Sequence, residues 1–230
     1  MSSTRLPGKV LREAGGRPLI AYHIDRLKAA GLPVYLATTD QTADDPLATW
    51  AADNSVPYVR GGTNDVLNRY GLAAAKFGLD VIVRVTSDCP LIDGCIIGEG
   101  LAAYLAQFDS KCYLTNGLKR TYPRGMDFEI FSRALLDKAL AEATAPHERE
   151  HVTPFFYETP KPFVHIRHYT QGRDDSKLRL TVDEQADLEL VQTLIEQHGA
   201  ATLSAHELAD LLYSHPELIA INAHVCQKSI

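Results

Sequence analysis

Three short stretches of this sequence combine residue types that could do chemistry. The first, Ser2-Ser3-Thr4-Arg5-Leu6-Pro7-Gly8-Lys9, sets hydroxyls and two cations around a turn. Proline fixes φ and glycine tolerates φ > 0, so Pro7-Gly8 turns the chain and lets Arg5 and Lys9 face one concavity. A guanidinium grips phosphate oxygens as a planar fork and an ammonium acts as a mobile point charge, so the pair suits a polyphosphate. A solvated basic tail would use the same letters. The stretch is not a Walker A loop, because Gly8-Lys9 is followed by Val10 and position 3 is not glycine.

The second group is made of carboxylates at the ends of apolar runs. Val81-Ile82-Val83-Arg84-Val85 reads as a buried parallel strand and leads into Thr86-Ser87-Asp88-Cys89-Pro90. Ligands of open α/β sheets gather beyond such strand ends, which singles out Asp88, with a turn or helix-cap aspartate as the structural alternative. A further strand over 178–183 ends in Asp183, and Asp187 follows on a helix. The third group begins at the turn Tyr122-Pro123-Arg124-Gly125. Beyond it Met126 to Phe131 alternates apolar and acidic residues, so a strand there puts Asp127 and Glu129 on one face, as a solvated sheet edge also would. His147-Glu148-Arg149-Glu150-His151 matches the H-E-x-x-H zinc-protease pattern. Pro146 and Pro154 leave it little more than two helical turns, and no third ligand follows at a recognised spacing, so the match carries little weight.

The elements that must hold these groups alternate along the chain. A helix begins after Pro18 and ends near Gly31. Strands are expected at 34–38, 56–59, 80–85, 113–116, 126–131, 163–168 and 178–183. Helices are expected at about 45–52, 66–77, 97–106 and 187–198, with helix or loop over 205–213 and 216–219. This is a βαβ pattern, and 230 residues suit one α/β domain spanning 1–230. A net charge of −6 argues against a nucleic-acid partner. No run is long and apolar enough for a membrane span. The four cysteines, Cys89, Cys95, Cys112 and Cys226, have no C-x-x-C spacing and no secretory leader precedes them, which fits a reducing cytoplasm.

Five segments in order resemble the cytidylyltransferase family, and most closely its spore coat polysaccharide biosynthesis protein F group: STRLPGK (3–9), RVTSDCPLID (84–93), PRGMDFEIF (123–131), EREHVTP (148–154) and LRLTVDEQADLEL (178–190). The resemblance implies a three-layer α/β/α, Rossmann-like nucleotide-diphospho-sugar transferase fold with a mostly parallel mixed sheet. It implies CTP and a sugar as substrates, Mg2+ as cofactor and a homodimer. Ser3, Arg5, Lys9, Arg84, Thr86 and Asp88 would then bind the nucleotide, and Asp88 and Asp183 the metal. Arg124, Asp127, Glu129, Arg149, Glu150 and His151 would line the sugar, with Asp187 supporting the loop. Arg5, Lys9, Asp88 and Asp183 would carry catalysis. Ser87 replaces the glycine common in the family. Family members also carry a strand ahead of the first loop, so a central strand of the sheet is expected to be missing from this chain. A catalytically impaired nucleotide- or partner-binding member, or an enzyme using another nucleotide or nucleotide sugar, are the alternatives.

Overall fold

The computed structural model of the protein describes residues 5–227. Ser3, expected beside the nucleotide, lies outside them. In chain order the elements are β1 (Glu13–Ala14), β2 (Arg17–Pro18), α1 (Leu19–Ala29), β3 (Leu36–Thr39), α2 (Asp45–Asp53), β4 (Tyr58–Gly61), α3 (Val66–Phe77), β5 (Val81–Arg84) and α4 (Gly94–Ala106). There follow β6 (Cys112–Thr115), β7 (Glu129–Ser132), α5 (Arg133–Glu142), α6 (Pro146–His151), α7 (Pro154–Tyr157), β8 (His165–His168), α8 (Gln185–His198), α9 (Ala205–Ser214) and α10 (Pro216–Asn222). Local signals set several boundaries. The Asp65 carboxylate accepts the Asn68 N–H at the start of α3, and Gly78 ends that helix in the left-handed region.

The main sheet comes in two pieces. In one, β3 pairs in parallel with β4; in the other the order is β5-β7-β6-β8, with β7 antiparallel to both neighbours and β8 parallel to β6. Successive strand residues point to opposite faces, and the two larger cores sort accordingly. Leu114 and Ile130 face a core shared with α1, α4, α8 and α9. Ile82, Tyr113 and Phe131 face a second core built with α3, α5 and α7. The result is the expected three-layer α/β/α arrangement. A third, smaller core joins Leu36 and Val56 to α1 and α2.

Three expectations need correction. The segment 178–183 is extended but forms no strand: its ladder is a single parallel bridge, Arg124↔Arg179. Its remaining hydrogen bonds go to loops, with the Val182 N–H donating to the Asp88 carbonyl at 2.8 Å. The strand expected from Met126 starts only at Glu129, so Asp127 and Glu129 do not share a strand face. Finally, α5 went unforeseen; its start is set by the Ser132 hydroxyl, which accepts the Leu135 N–H.

Candidate active site

The loop ahead of α1 is shaped by Gly8, at φ 67° between the chain reversal and a single 3-10 turn at Lys9–Leu11. Leu6 anchors it in the core at 5% exposure. Anchored there, the loop delivers both its cations to two aspartates far away in sequence. Lys9 Nζ lies 2.8 Å from Asp88 Oδ2 and 2.9 Å from Asp183 Oδ1. Arg5 Nη2 lies 3.3 Å from Asp183 Oδ1, and its Nη1 donates to Glu184 Oε1 at 3.0 Å. Asp88 sits four residues beyond β5, in a turn whose carbonyl holds Val182, so the backbone hydrogen bond that locates Asp183 starts at Asp88 itself.

Asp183 is fixed from behind by Asp187, the loop support that the family resemblance implies, and by Arg179, which went unforeseen. Arg179 donates to Asp183 Oδ2 at 2.9 Å and to both oxygens of Asp187, at 2.8 and 3.0 Å. Asp187, with no exposed surface, also accepts the Asp183 and Glu184 N–H groups and the Asn222 amide. Burial by itself would raise the Asp183 carboxyl, but Lys9, Arg179 and Arg5 outweigh it and hold the group below the usual carboxylate range. Burial likewise works against the Lys9 ammonium, and the two aspartates more than reverse it, raising its pKa. An Arg four residues before an Asp and eight before another was the available signal for this support.

The other expected residues divide. Thr86 is exposed beside the cluster, its hydroxyl 3.6 Å from the Cys89 sulfur. Arg124 lies among charges of the same region: burial and then Arg120 push its guanidinium pKa down, while Asp127 and Asp183 counteract them. Asp127 pairs with Arg120 and accepts the Gly125 N–H. Arg84 and Glu129, by contrast, face each other across β5 and β7, and the Glu129 carboxylate is engaged by Arg84 and by the Tyr113 hydroxyl. That closed pair reads as internal wiring of the sheet. Arg149 is turned onto Asp65, at 2.6 Å, and the Ala143 carbonyl, tying α6 to the cap of α3. Glu150 is exposed and His151 half-buried on the same short helix. His147, the first histidine of the H-E-x-x-H letters, bonds Glu158 at 2.6 Å.

A cationic loop clamped onto two convergent carboxylates has the donor set that could hold a polyanion and a hard cation. The family model described as cytidylyltransferase matches residues 1–216. The chain belongs to the cytidylyltransferase family. A solved cytidylyltransferase from Leptospira borgpetersenii is 34% identical, covering 100% of this chain and 95% of its own, with a TM-score of 0.90. An uncharacterized protein of Methanocaldococcus jannaschii is 31% identical over 99% of this chain and 93% of its own length. The spore coat polysaccharide biosynthesis protein SpsF of Bacillus subtilis is 28% identical, over 94% and 92%. For a cytidylyltransferase-family member, oxygen donors such as Asp88 Oδ2 and Asp183 Oδ1 fit a divalent metal, since both already converge on a single cation, the Lys9 ammonium. No helix among the described residues is long and apolar enough to cross a membrane.

Proposed function

We propose that the protein transfers CMP from CTP to a sugar hydroxyl, of the acidic or ketodeoxy class, for surface polysaccharide or glycan synthesis. The observation that carries this reading is the shared grip of Asp88 and Asp183 on Lys9, which brings the loop cations and the two carboxylates within one hydrogen-bond length. The sugar oxygen forms a bond to the α-phosphorus, the bond from that phosphorus to the β-phosphate bridging oxygen breaks, and the hydroxyl proton leaves to solvent. Arg5 and Lys9 neutralise the departing pyrophosphate, a contribution made by positioning and charge because phosphoryl transfer asks little covalent chemistry of the protein. Asp88 and Asp183 would hold Mg2+, which when bound offsets charge on the phosphate oxygens. Arg179 helps to keep Asp183 ionised, and Asp187, by accepting the Asp183 N–H, holds its backbone in place. Arg124 and Asp127, beside the same cluster, are the residues of the sugar side that the geometry supports.

Calorimetric titration of CTP with Mg2+ into the protein tests the reading, repeated with UTP and with Asp88→Ala. Binding that needs the metal, prefers CTP and disappears in the variant is expected. A preference for UTP or a nucleotide sugar would replace the reading with another nucleotide chemistry on the same site.

A further inference from the structure

A cavity of about 250 Å3 lies where the segment 176–179 meets α8, α9 and α10. Part of its lining is apolar: Leu190 and Leu212 are buried and Ile219 is half-buried. Its charged lining is all of one sign. Arg124, Lys177 and Arg179 face it, and among the described residues no acidic side chain does, in a chain whose net charge is −6. Arg124 and Arg179 are opposed in the one bridge of that segment, so their side chains leave the backbone as neighbours, where like charges repel. Arg179 is compensated: its Nε and Nη2 bond Asp187 and Asp183, and its Nη1 turns to a neutral partner of the cavity, Gln227 Oε1, at 2.7 Å. Arg124 is not. Its guanidinium forms no hydrogen bond or ion pair among the described residues. The nearby carboxylates are already engaged, Asp127 by Arg120, and Asp183 by Lys9, Arg5 and Arg179. Burial, Arg120 and Arg179 all push the Arg124 pKa down, the mark of a cation short of anions. Lys177, exposed, is likewise without a hydrogen bond or ion pair among the described residues.

We propose that this cavity binds a phosphate monoester with an apolar body, the phosphate held by Arg124, Lys177 and Arg179 and the esterified group lying on Leu190, Leu212 and Ile219. A phosphate monoester brings nearly two negative charges and three terminal oxygens to three cationic donors. A carboxylate, with one charge and two oxygens, would leave a cation unmatched. At Arg179 Nη1 the phosphate replaces the neutral Gln227 oxygen by a charged acceptor, and a charge-assisted hydrogen bond is roughly twice as strong. The exchange leaves Nε and Nη2 on their aspartates, so Asp183 keeps its support while the cavity fills. Arg124 and Arg179 thus belong both to the cavity and to the surroundings of the candidate active site, whereas Arg5, Lys9, Asp88 and Asp183 do not line the cavity. The ligand is therefore additional to the nucleotide and the sugar of the proposed reaction.

Calorimetric titration of phenyl phosphate into the full chain, without metal or nucleotide, tests the proposal, beside inorganic phosphate and benzoate. Phenyl phosphate is expected to bind about tenfold or more tightly than either. Its affinity should fall by about tenfold in Lys177→Gln and in Ala223→Trp, the second an exposed position whose enlarged side chain fills the cavity, and should be unchanged in Lys9→Met. Absence of binding overturns the proposal. So does binding that survives both cavity variants and is lost in Lys9→Met, which would put the phosphate in the candidate active site. Equal affinity for benzoate would remove the recognition of phosphate, and equal affinity for inorganic phosphate would remove the place of the esterified group; either overturns it as well. The readout needs no CTP, so it fails or succeeds independently of the proposed transferase activity.

Discussion

Lys9 occupies the centre of the site because, among the described residues, it alone touches both aspartates. Lys9→Met should therefore lower transferase turnover by about 100- to 1000-fold, the scale of removing one preorganised electrostatic contact, measured as pyrophosphate release from CTP. Arg179 acts at one remove. Its side chain, 10% exposed, sits against Asp183 and against a wholly buried Asp187. Breaking a buried pair leaves an uncompensated charge, so Arg179→Leu should cost about 3–5 kcal/mol of stability in a denaturant titration. Arg149 is the informative contrast: its contacts are Asp65 and a carbonyl of the loop before its own helix, so Arg149→Met should weaken the docking of α6 on α3 before it changes affinity for CTP.

At the scale of elements, Gly125 shows how the site depends on a crossing of loops. It has φ +103°, and a Cβ there would stand 2.7 Å from the backbone of Leu180 and Thr181. Neither contact can give way as a flexible side chain would. Gly125→Ala should displace the segment leading to Asp183, lowering both melting temperature and kcat, whereas Gly98→Ala, which meets nothing within 4 Å, should leave kcat unchanged. The same crossing explains what could and could not be read from the letters. Arg5, Lys9 and Asp88 stand out locally, by a turn and by the end of an apolar run, whereas Asp183 is singled out by the end of a strand that does not form and by the family resemblance. The segment 178–183 alternates like a strand, yet its partners are the Arg124 and Asp88 loops, and long-range backbone pairing of that kind leaves no local trace. Glu129 was misleading for a related reason: its acidic letter suggests a surface or a ligand, and only the register with β5 reveals the arginine opposite it. The order of the strands is likewise set by packing between distant segments.

For the whole molecule, several ionisable groups make stability depend on pH in separate windows. His23 is buried, its Nδ1 2.8 Å from the Cys89 carbonyl, and burial lowers its pKa. With the folded value below the unfolded one of about 6.5, the unfolded chain takes up the proton first, so stability should fall as pH drops from about 6.5 toward 5. His23→Asn, keeping an N–H for the carbonyl, should flatten that part of a melting-temperature profile. Asp183 and Asp187, held below the usual range against the burial that would raise them, contribute stability that is present above about pH 4 and is lost in more acidic solution. The Lys9 ammonium has the opposite sign: its raised pKa stabilises the fold up to its unfolded value near 10.5, and that share fades as the pH climbs through the folded one.

The contacts of Lys9 also set a timetable. Asp88 lies 79 residues downstream of it and Asp183 174. At about 5–20 residues per second of synthesis, roughly 4–16 s pass before the first carboxylate has been made and roughly 9–35 s before the second. On the ribosome the loop thus meets its partners one after the other, and the candidate site is among the last features of the newborn chain to close.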